Sequence, residues 1–256
     1  MSETAGWTEQ DIPDQTGKVV IVTGGNSGIG YETVRILAQR GAHVILAARN
    51  TIKGNEAIDK ILAEDPSANV ETQPLDLADL SSIAEFTETF KERGIPLHTL
   101  INNAGIMGVT KGTTVDGFEL QFGVNHLGHF ALTGLLIEKI VAQSDGRIVN
   151  VASNAHRQGR LNFYDLQSTH RYGRMRAYAQ SKLANLVFTA ELDRRLRRAM
   201  KEDTLSVAAH PGMAHSNIGS NLNSETYFDR IFEKSLKVLS PYLVQSTLAG
   251  AVPTLR

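Results

Sequence analysis

Short apolar runs alternate with longer amphipathic stretches along the chain. The apolar runs predict strands at 18–23, 43–48, 70–75, 99–102, 147–151 and 205–209. The stretches between them predict helices from a glycine-rich turn to about residue 40, and over 52–63, 81–93, 118–141 and 176–200. Alternation at these lengths predicts parallel βαβ units with right-handed crossovers. Because the strand runs are continuously apolar, we expect helices on both faces of the sheet.

This pattern predicts an α/β fold of the Rossmann type, a doubly wound parallel sheet in strand order 3-2-1-4-5-6 that binds ligands at the carboxyl ends of its strands. There is no repeat and no Pro/Gly/Ser-rich linker, so residues 1–256 are interpreted as one domain. Within it, 1–16 form a leader and 213–240 a segment on the substrate side. No strand-like run follows residue 242, so we expect no seventh strand from this chain.

Composition narrows the function classes. A net charge of −1 gives no reason to expect a nucleic-acid or anionic-membrane partner. The absence of cysteine excludes disulfide and thiolate chemistry and permits a reducing compartment. No apolar stretch approaches the roughly 20 residues that span a bilayer, and the polar N-terminus does not look like a signal peptide. We therefore expect a cytoplasmic protein with no transmembrane segment.

The first predicted strand runs directly into a glycine-rich turn. Glycines at positions 24, 28 and 30 allow the backbone to turn sharply and to approach a pyrophosphate. The helix that begins there offers unpaired N–H groups and the positive end of its dipole. The alternative is a turn without a ligand, but its place between the first strand and the first helix favours a dinucleotide. The predicted contacts are Gly24, Asn26, Ser27, Gly28, Ile29 and Gly30.

The end of the second predicted strand bears on which nicotinamide cofactor is used. An NAD site has an acidic residue there that accepts hydrogen bonds from the ribose 2′-hydroxyl. This chain has Arg49 and Asn50 after two alanines. The Arg49 guanidinium can hold a 2′-phosphate, which a carboxylate would repel. Unless Arg49 is an ordinary solvated residue, the cofactor is expected to be NADP(H).

These motifs belong to a longer series along the chain. The series comprises Thr23–Gly30, Asp76-Leu77, Asn102–Gly105, Asn125, Ser153, Tyr178–Lys182 and His210–Gly212. Over residues 17–255 the chain resembles the short-chain dehydrogenase/reductase family. Segments 24–28, 48–50, 125–130 and 181–185, with the long stretch from Ser153 to Tyr178, are similar to the branch that contains retinol dehydrogenases and the WW-domain-containing oxidoreductase.

The resemblance implies further site residues. Asp76 and Leu77 would contact the adenine, and Asn103, Ala104 and Gly105 would line the path of the ribose and phosphates. Pro211, Gly212 and Ser216 would lie near the nicotinamide and its phosphate. Asn125 would hold a water that passes protons from Lys182 towards solvent, and Lys182 would also reach the ribose. The resemblance is also compatible with a homodimer.

The implied chemistry is hydride transfer between the cofactor and an alcohol or carbonyl. Tyr178 is the expected acid and base, although a free phenol titrates near pH 10. Lys182 lies four residues later on the same helix face, so its ammonium is expected to lower the pKa of Tyr178. Ser153 would hydrogen-bond the substrate oxygen.

Alternatives remain open at this point. Tyr172 and Tyr164 are nearby tyrosines, but Arg176 and Ser168 stand where a lysine would be needed. A non-catalytic, NADP(H)-binding regulatory protein is the second function class. Apolar residues in the substrate-side segment favour a small-molecule substrate that is a moderately bulky, lipophilic alcohol, aldehyde or ketone, unless they form core or a lid; these are Met213, Tyr227, Phe228, Ile231 and Phe232. No metal site is expected, because the histidines lack ligand spacing; they include His126, His129, His156, His170, His210 and His215.

Overall fold

The computed structural model describes residues 7–212 and 246–256. Six strands follow in chain order: β1 Val19–Thr23, β2 His43–Ala48, β3 Val70–Pro74, β4 Thr99–Asn102, β5 Arg147–Val151 and β6 Leu205–Ala209. They form one parallel sheet in the order β3-β2-β1-β4-β5-β6, which confirms the predicted topology. The predicted contributions of Ser216 and of the 213–240 segment lie outside the described residues.

Helices cover both faces of the sheet. They are α1 Gly28–Gln39, α2 Thr51–Glu64, α3 Leu80–Glu92, α4 Leu120–Phe122, α5 Gly128–Val141, α6 Arg174–Arg198 and α7 Thr247–Leu255. One apolar core lies between the sheet and α3, α5 and α6; a second lies between the sheet and α1 and α2. All five residues of β1 are buried, as a strand packed on both sides requires.

The predicted helix over 118–141 is not continuous. It begins at Leu120 and contains a π-helical turn at Gly123–Leu127, where the Gly128 N–H donates to the Gly123 carbonyl. The carboxylate of Glu119 caps the first turn by accepting hydrogen bonds from two backbone N–H groups. Apolar spacing along a sequence does not reveal one extra residue in a turn, so the prediction missed this feature, which is often found at functional sites.

The final described residues are helical. Ser246 caps α7 through a hydrogen bond from the Ala249 N–H, and α7 packs against α1. Leu255 contacts the core on the α1 side of the sheet. Residues 246–256 therefore contain no strand, in agreement with the prediction. In the two described ranges no helix is both long and apolar enough to cross a membrane.

Two buried side-chain amides, Asn102 and Asn150, form a hydrogen-bonded amide ladder between β4 and β5. Asn102 on β4 faces Asn150 on β5 in the parallel register. The Asn102 Nδ2 donates to the Asn150 Oδ1 at 2.9 Å, and the Asn150 Nδ2 donates to Thr189 on α6 at 3.0 Å. Both amides are buried. The ladder connects the two strands whose carboxyl ends carry the candidate site.

Candidate active site

The turn after β1 has a backbone that only glycine tolerates at key positions. Gly24 has φ +67° and Gly28 has φ +59°. A Cβ on Gly30 would lie 2.3 Å from the Gly24 carbonyl oxygen, and a Cβ on Gly24 would lie 2.9 Å from the Ala104 Cα. The turn is therefore folded tightly on itself and packed against the segment that follows β4.

Hydrogen bonds connect this turn to the end of β4. The Asn103 Nδ2 donates to the Thr23 carbonyl at 2.8 Å, while the backbone N–H groups of Asn103 and Ala104 donate to the Thr23 hydroxyl at 3.0 and 2.9 Å. The predicted ribose and phosphate path thus follows the turn directly, and Asn103 has a structural role in holding that path together.

The helix α1 begins at Gly28, within the turn itself. Ser27 stands at the N-cap, and its side chain makes no capping hydrogen bond. The first N–H groups of a helix have no partner within the helix, and the positive end of the dipole lies there. The turn therefore presents donors to an anion in the place predicted for a pyrophosphate.

The residues after β2 and β3 lie at the same edge of the sheet. Arg49 is exposed directly after β2, and the side chain of Asn50 caps α2 by accepting from the Lys53 N–H at 3.0 Å. Asp76 accepts from the Ala78 N–H at 2.9 Å. Leu77 is buried, packed beside Gly128 at the start of α5. No acidic residue directly follows β2, so the guanidinium of Arg49 has no carboxylate adjacent in sequence.

Tyr178 and Lys182 lie on one face of α6, and both are buried, with only 5% and 2% of their surfaces exposed. The Lys182 Nζ donates to the Val151 carbonyl at the end of β5 at 2.8 Å. It lies 5.9 Å from the centroid of the Tyr178 ring. The predicted pair is therefore assembled at the carboxyl end of β5.

The pKa values of the pair differ from the expectation. Burial raises the pKa of Tyr178, and a hydrogen bond with Ser153 partly opposes that shift. Burial lowers the pKa of Lys182 to about 8. The cost of removing each charged form from water dominates, because both groups are nearly inaccessible to solvent.

Ser153 follows β5 and is half-buried beside Tyr178. Its hydroxyl accepts from the Ala155 N–H at 3.2 Å and opens a short 3₁₀ helix, Asn154–Gln158. Its hydrogen bond with Tyr178 brings both hydroxyls to one point. A substrate oxygen placed there could contact both groups.

Asn125 lies within the π turn and connects three segments. Its Oδ1 accepts from the Ile106 N–H at 2.8 Å, and its Nδ2 donates to the Ile106 carbonyl at 2.9 Å and to the Ser181 hydroxyl at 3.0 Å. The side chain thus holds the loop after β4 against α6. This bracing role was not predicted from sequence.

The rival tyrosines have other environments. The Tyr172 hydroxyl donates to the Val109 carbonyl and accepts from the Gln121 side chain, both at 2.9 Å. Burial, followed by the charge of Glu119, raises the pKa of Tyr172 to about 12. Tyr164 is 99% exposed. Tyr172 is engaged in holding a loop and Tyr164 contacts solvent, which leaves Tyr178 beside Ser153 and Lys182.

The segment after β6 is described as far as Gly212. Pro211 and Gly212 are half-buried, Gly212 has φ +66°, and its N–H donates to the His210 Nδ1 at 3.2 Å. Both residues follow a strand at the carboxyl edge, as expected of residues near a nicotinamide. Ser216 lies outside the described residues.

Sequence reasoning missed one buried histidine. His129, on α5, has its Nε2 2.9 Å from the Thr23 hydroxyl. From the sequence, His129 is assessed only as a metal ligand, for which the spacing of the histidines is unsuitable. A histidine inside an otherwise apolar helix face was the signal that could have drawn attention to it.

The sheet, the glycine turn at its first strand and the buried tyrosine–lysine pair define a class, the dinucleotide-binding α/β proteins. Residues 18–226 match the model of the short chain dehydrogenase family. The chain therefore belongs to the short-chain dehydrogenase family and is an oxidoreductase that acts on alcohol groups.

Two curated relatives show the branch. Mouse retinol dehydrogenase 12 is 46% identical over 233 residues, which cover 91% of this chain and 72% of that protein. The human WW domain-containing oxidoreductase is 41% identical over 251 residues, or 94% of this chain and 60% of that protein. The predicted resemblance to both groups is confirmed.

Solved structures share the fold. A protein from Mycobacterium Paratuberculosis is 43% identical with a TM-score of 0.77, covering 98% of this chain and 80% of that one. A candidate NAD(P)-dependent gluconate 5-dehydrogenase from Beutenbergia cavernae, with NADP bound at low occupancy, is 25% identical with a TM-score of 0.69. It covers 94% of this chain and 88% of that chain.

Proposed function

We propose that the protein is an NADP(H)-dependent oxidoreductase that interconverts a lipophilic alcohol and the corresponding aldehyde or ketone, with Tyr178 as the acid and base. The observation that carries the proposal is the buried arrangement of Tyr178, Lys182 and Ser153 at the carboxyl end of β5. A binding module without catalysis would have no need to bury an ionisable lysine beside a tyrosine.

A nicotinamide dinucleotide fits the residues present. Gly24 and Gly30 leave no room for a Cβ against the neighbouring protein atoms, so the turn is compact and its backbone can approach a pyrophosphate. The first turn of α1 supplies donors for the pyrophosphate. When bound, such a cofactor accepts or supplies the hydride. Tyr178 and Lys182 would then lie on the nicotinamide side and the glycine turn on the phosphate side.

Tyr178 is the residue that would donate or accept the proton. Because burial raises its pKa, the phenol remains protonated at neutral pH, which is the state that carbonyl reduction requires of a donor. The phenolate left after donation would lie near Lys182, whose pKa of about 8 leaves it mostly protonated at pH 7. In alcohol oxidation the same oxygen would receive the proton. Ser153 would hold the substrate oxygen in line with the tyrosine and stabilise the charge that develops on it.

The lipophilic substrate class is supported by the relatives. Several of them are named retinol dehydrogenases, and retinol is a lipophilic alcohol. The apolar residues expected to contact the substrate lie in the 213–240 segment, outside the described residues. Turnover of a panel of retinoid, steroid and aliphatic carbonyls with NADPH tests this part. Binding of NADPH with no turnover across the panel would instead favour the regulatory protein.

The preference for NADP(H) depends on Arg49. It is exposed at the carboxyl end of β2, with no acidic residue following that strand. We expect NADPH to bind more tightly than NADH. A charge-assisted hydrogen bond contributes about 1.5–3 kcal/mol, so Arg49→Ala should weaken NADPH binding by about 10- to 100-fold and leave NADH unchanged.

Fluorescence titration of both cofactors measures this difference. Arg147→Ala is a matched control, because Arg147 is also exposed but stands at the amino end of β5, at the opposite edge of the sheet. Equal affinity of the unmodified protein for the two cofactors, or a preference for NADH, would refute the NADP(H) assignment.

A further inference from the structure

His129 lies where the cofactor side of the fold meets the catalytic side. It is the second residue of α5, directly after the π turn, and only 2% of its surface is exposed. Burial lowers the pKa of His129 to about 3, and the nearby charges of Lys182 and His126 act in the same direction. The imidazole is therefore neutral, with one nitrogen that donates and one that accepts.

The partners decide which nitrogen carries the proton. The Nδ1 lies 3.1 Å from the Asn125 carbonyl oxygen, which can only accept, so the Nδ1 must carry the hydrogen. The Nε2 is then an acceptor, and the Thr23 hydroxyl, 2.9 Å away, must donate to it. The alternative acceptor for that hydroxyl, the Ile101 carbonyl, is more distant at 3.4 Å.

Thr23 is the last residue of β1 and leads directly into the glycine-rich turn, which we call the nucleotide turn. Its hydroxyl oxygen accepts from the backbone N–H groups of Asn103 and Ala104. With its hydrogen directed to His129, the hydroxyl makes two accepted bonds and one donated bond, which uses its capacity fully. A change in His129 would therefore alter the position of the segment after β4.

The Asn125 end of this contact is hydrogen-bonded to α6, the helix that carries Tyr178 and Lys182. The same carbonyl oxygen accepts from the Asn185 Nδ2 on α6 at 3.1 Å. The Asn125 side chain bonds the hydroxyl of Ser181, which in turn donates to the Tyr178 carbonyl at 2.8 Å. Three hydrogen bonds thus lead from His129 to the backbone of the tyrosine.

We propose that His129, in its Nδ1–H tautomer, is a positioning residue that couples the nucleotide turn to the helix carrying Tyr178 and Lys182. The functional meaning of this coupling rests on the proposed function. The hydrogen bonds that form it are present in the structure whatever the protein's activity. His129 is buried and its two ring nitrogens contact Thr23 and Asn125, so it acts by setting the distance between the two parts of the site.

The tautomer is tested first, on the unmodified protein. Imidazole ¹⁵N chemical shifts distinguish a protonated Nδ1 from a protonated Nε2. We expect a protonated Nδ1 and a bare Nε2 for His129, unchanged from pH 5 to pH 9. An Nε2–H tautomer, or titration of the ring within that range, would overturn the proposal whether or not the protein turns over a substrate.

Three variants test the coupling. His129→Leu removes both contacts, and His129→Asn retains a donor near the Nδ1 position but loses the acceptor for Thr23. His98→Asn is the matched control, because the His98 Nδ1 accepts from the Val19 N–H at 3.0 Å, at the other end of the same strand, β1.

We expect His129→Leu to lower kcat about tenfold and to raise the Kd for NADPH about fivefold, the effect of about one hydrogen bond at each end. His129→Asn should restore kcat to within about threefold but leave the Kd raised. If both variants lose stability yet keep the unmodified kcat and Kd, or if they behave alike, the coupling is wrong.

Amide hydrogen exchange separates this proposal from the enzymatic one. Exchange at the Asn103 and Ala104 N–H groups should accelerate about tenfold in His129→Leu and not in His98→Asn, with no substrate present. Unchanged exchange would overturn the coupling. Failure of the unmodified protein to bind NADPH would instead refute the proposed function.

Discussion

The turn after β1 and the tyrosine–lysine pair on α6 differ in what fixes them. The turn is fixed by backbone: positive φ at Gly24 and Gly28, and contacts at Gly30 too close for any side chain. The pair is fixed by side chains, Tyr178 and Lys182, whose buried positions disfavour their charged forms. The nucleotide side is therefore preset by folding alone, whereas the charge state on the catalytic side still depends on what binds there.

The largest effect is expected from a substitution that impairs catalysis but not cofactor binding. Tyr178→Phe removes only the hydroxyl and should lower turnover by about 10²–10⁴-fold while the Kd for NADPH stays within about twofold, since acid–base catalysis contributes that much. Single-turnover kinetics with a parallel cofactor titration measures both constants.

Tyr172→Phe is the matched control for that prediction. Its hydroxyl bonds Val109 and Gln121, so its loss should reduce the free energy of unfolding by about 1–2 kcal/mol and leave turnover nearly intact. If Tyr172→Phe abolished turnover and Tyr178→Phe did not, the assignment of the acid would be wrong.

The next largest effect is expected from a substitution in the glycine-rich turn that weakens cofactor binding. A methyl group at position 30 would lie 2.3 Å from the Gly24 carbonyl oxygen and 2.5 Å from the Asn103 Nδ2, so the turn must open. Gly30→Ala should weaken NADPH binding by about 10- to 100-fold, with a loss of about 1–3 kcal/mol in the free energy of unfolding from overpacking.

Gly134→Ala provides the opposite case for comparison. Gly134 is exposed in the middle of α5 with no atom within 4 Å of the added methyl group. This substitution should stabilise the helix by about 0.5–1 kcal/mol and leave NADPH binding unchanged. Equal NADPH affinities for Gly30→Ala and Gly134→Ala would show that the tight turn is not the nucleotide site.

The smallest effect concerns Lys182, whose lowered pKa makes the free energy of unfolding depend on pH. The pKa of Lys182 falls from 10.5 to about 8 on folding, so between these values the unfolded chain binds more protons than the native one. Stability must then rise with pH across this window, and below pH 8 the buried ammonium destabilises the fold. Each pKa unit corresponds to about 1.4 kcal/mol.

Lys182→Met should therefore raise the free energy of unfolding at pH 7 by about 2 kcal/mol, once loss of the bond to Val151 offsets part of the gain. Urea unfolding at pH 7 and pH 10 measures the difference between the two proteins, which should nearly vanish at the higher pH. If Lys182→Met raised the free energy of unfolding by the same amount at both pH values, the lowered pKa of Lys182 would be contradicted.

The same contrast explains what the sequence could predict. All six strands and their order were predictable, because continuous apolar runs such as β1 and β2 leave little choice of element. The glycine turn was predictable because its residues are required by backbone geometry. The helix α7 was not predicted, although the absence of a strand there was.

Side-chain environments were less predictable. Spacing correctly paired Tyr178 with Lys182, but it could not show that burial outweighs the mutual attraction of their charges. Nor could it show that the Tyr172 hydroxyl is occupied by Val109 and Gln121. The role of His129 depends on partners 4 and 106 residues away in sequence, which only the fold brings together.

The amide ladder also bears on how the chain reaches this fold. If β4 slipped by one residue against β5, Asn102 would lose Asn150 and stand opposite a valine, Val149 or Val151. An unpartnered buried amide costs about 1–3 kcal/mol, and a slip would expose the wrong face of the strand as well. Misaligned sheets should therefore be short-lived during folding, because the ladder stabilises only the alignment in which Asn103 and Ser153 end up at the same edge.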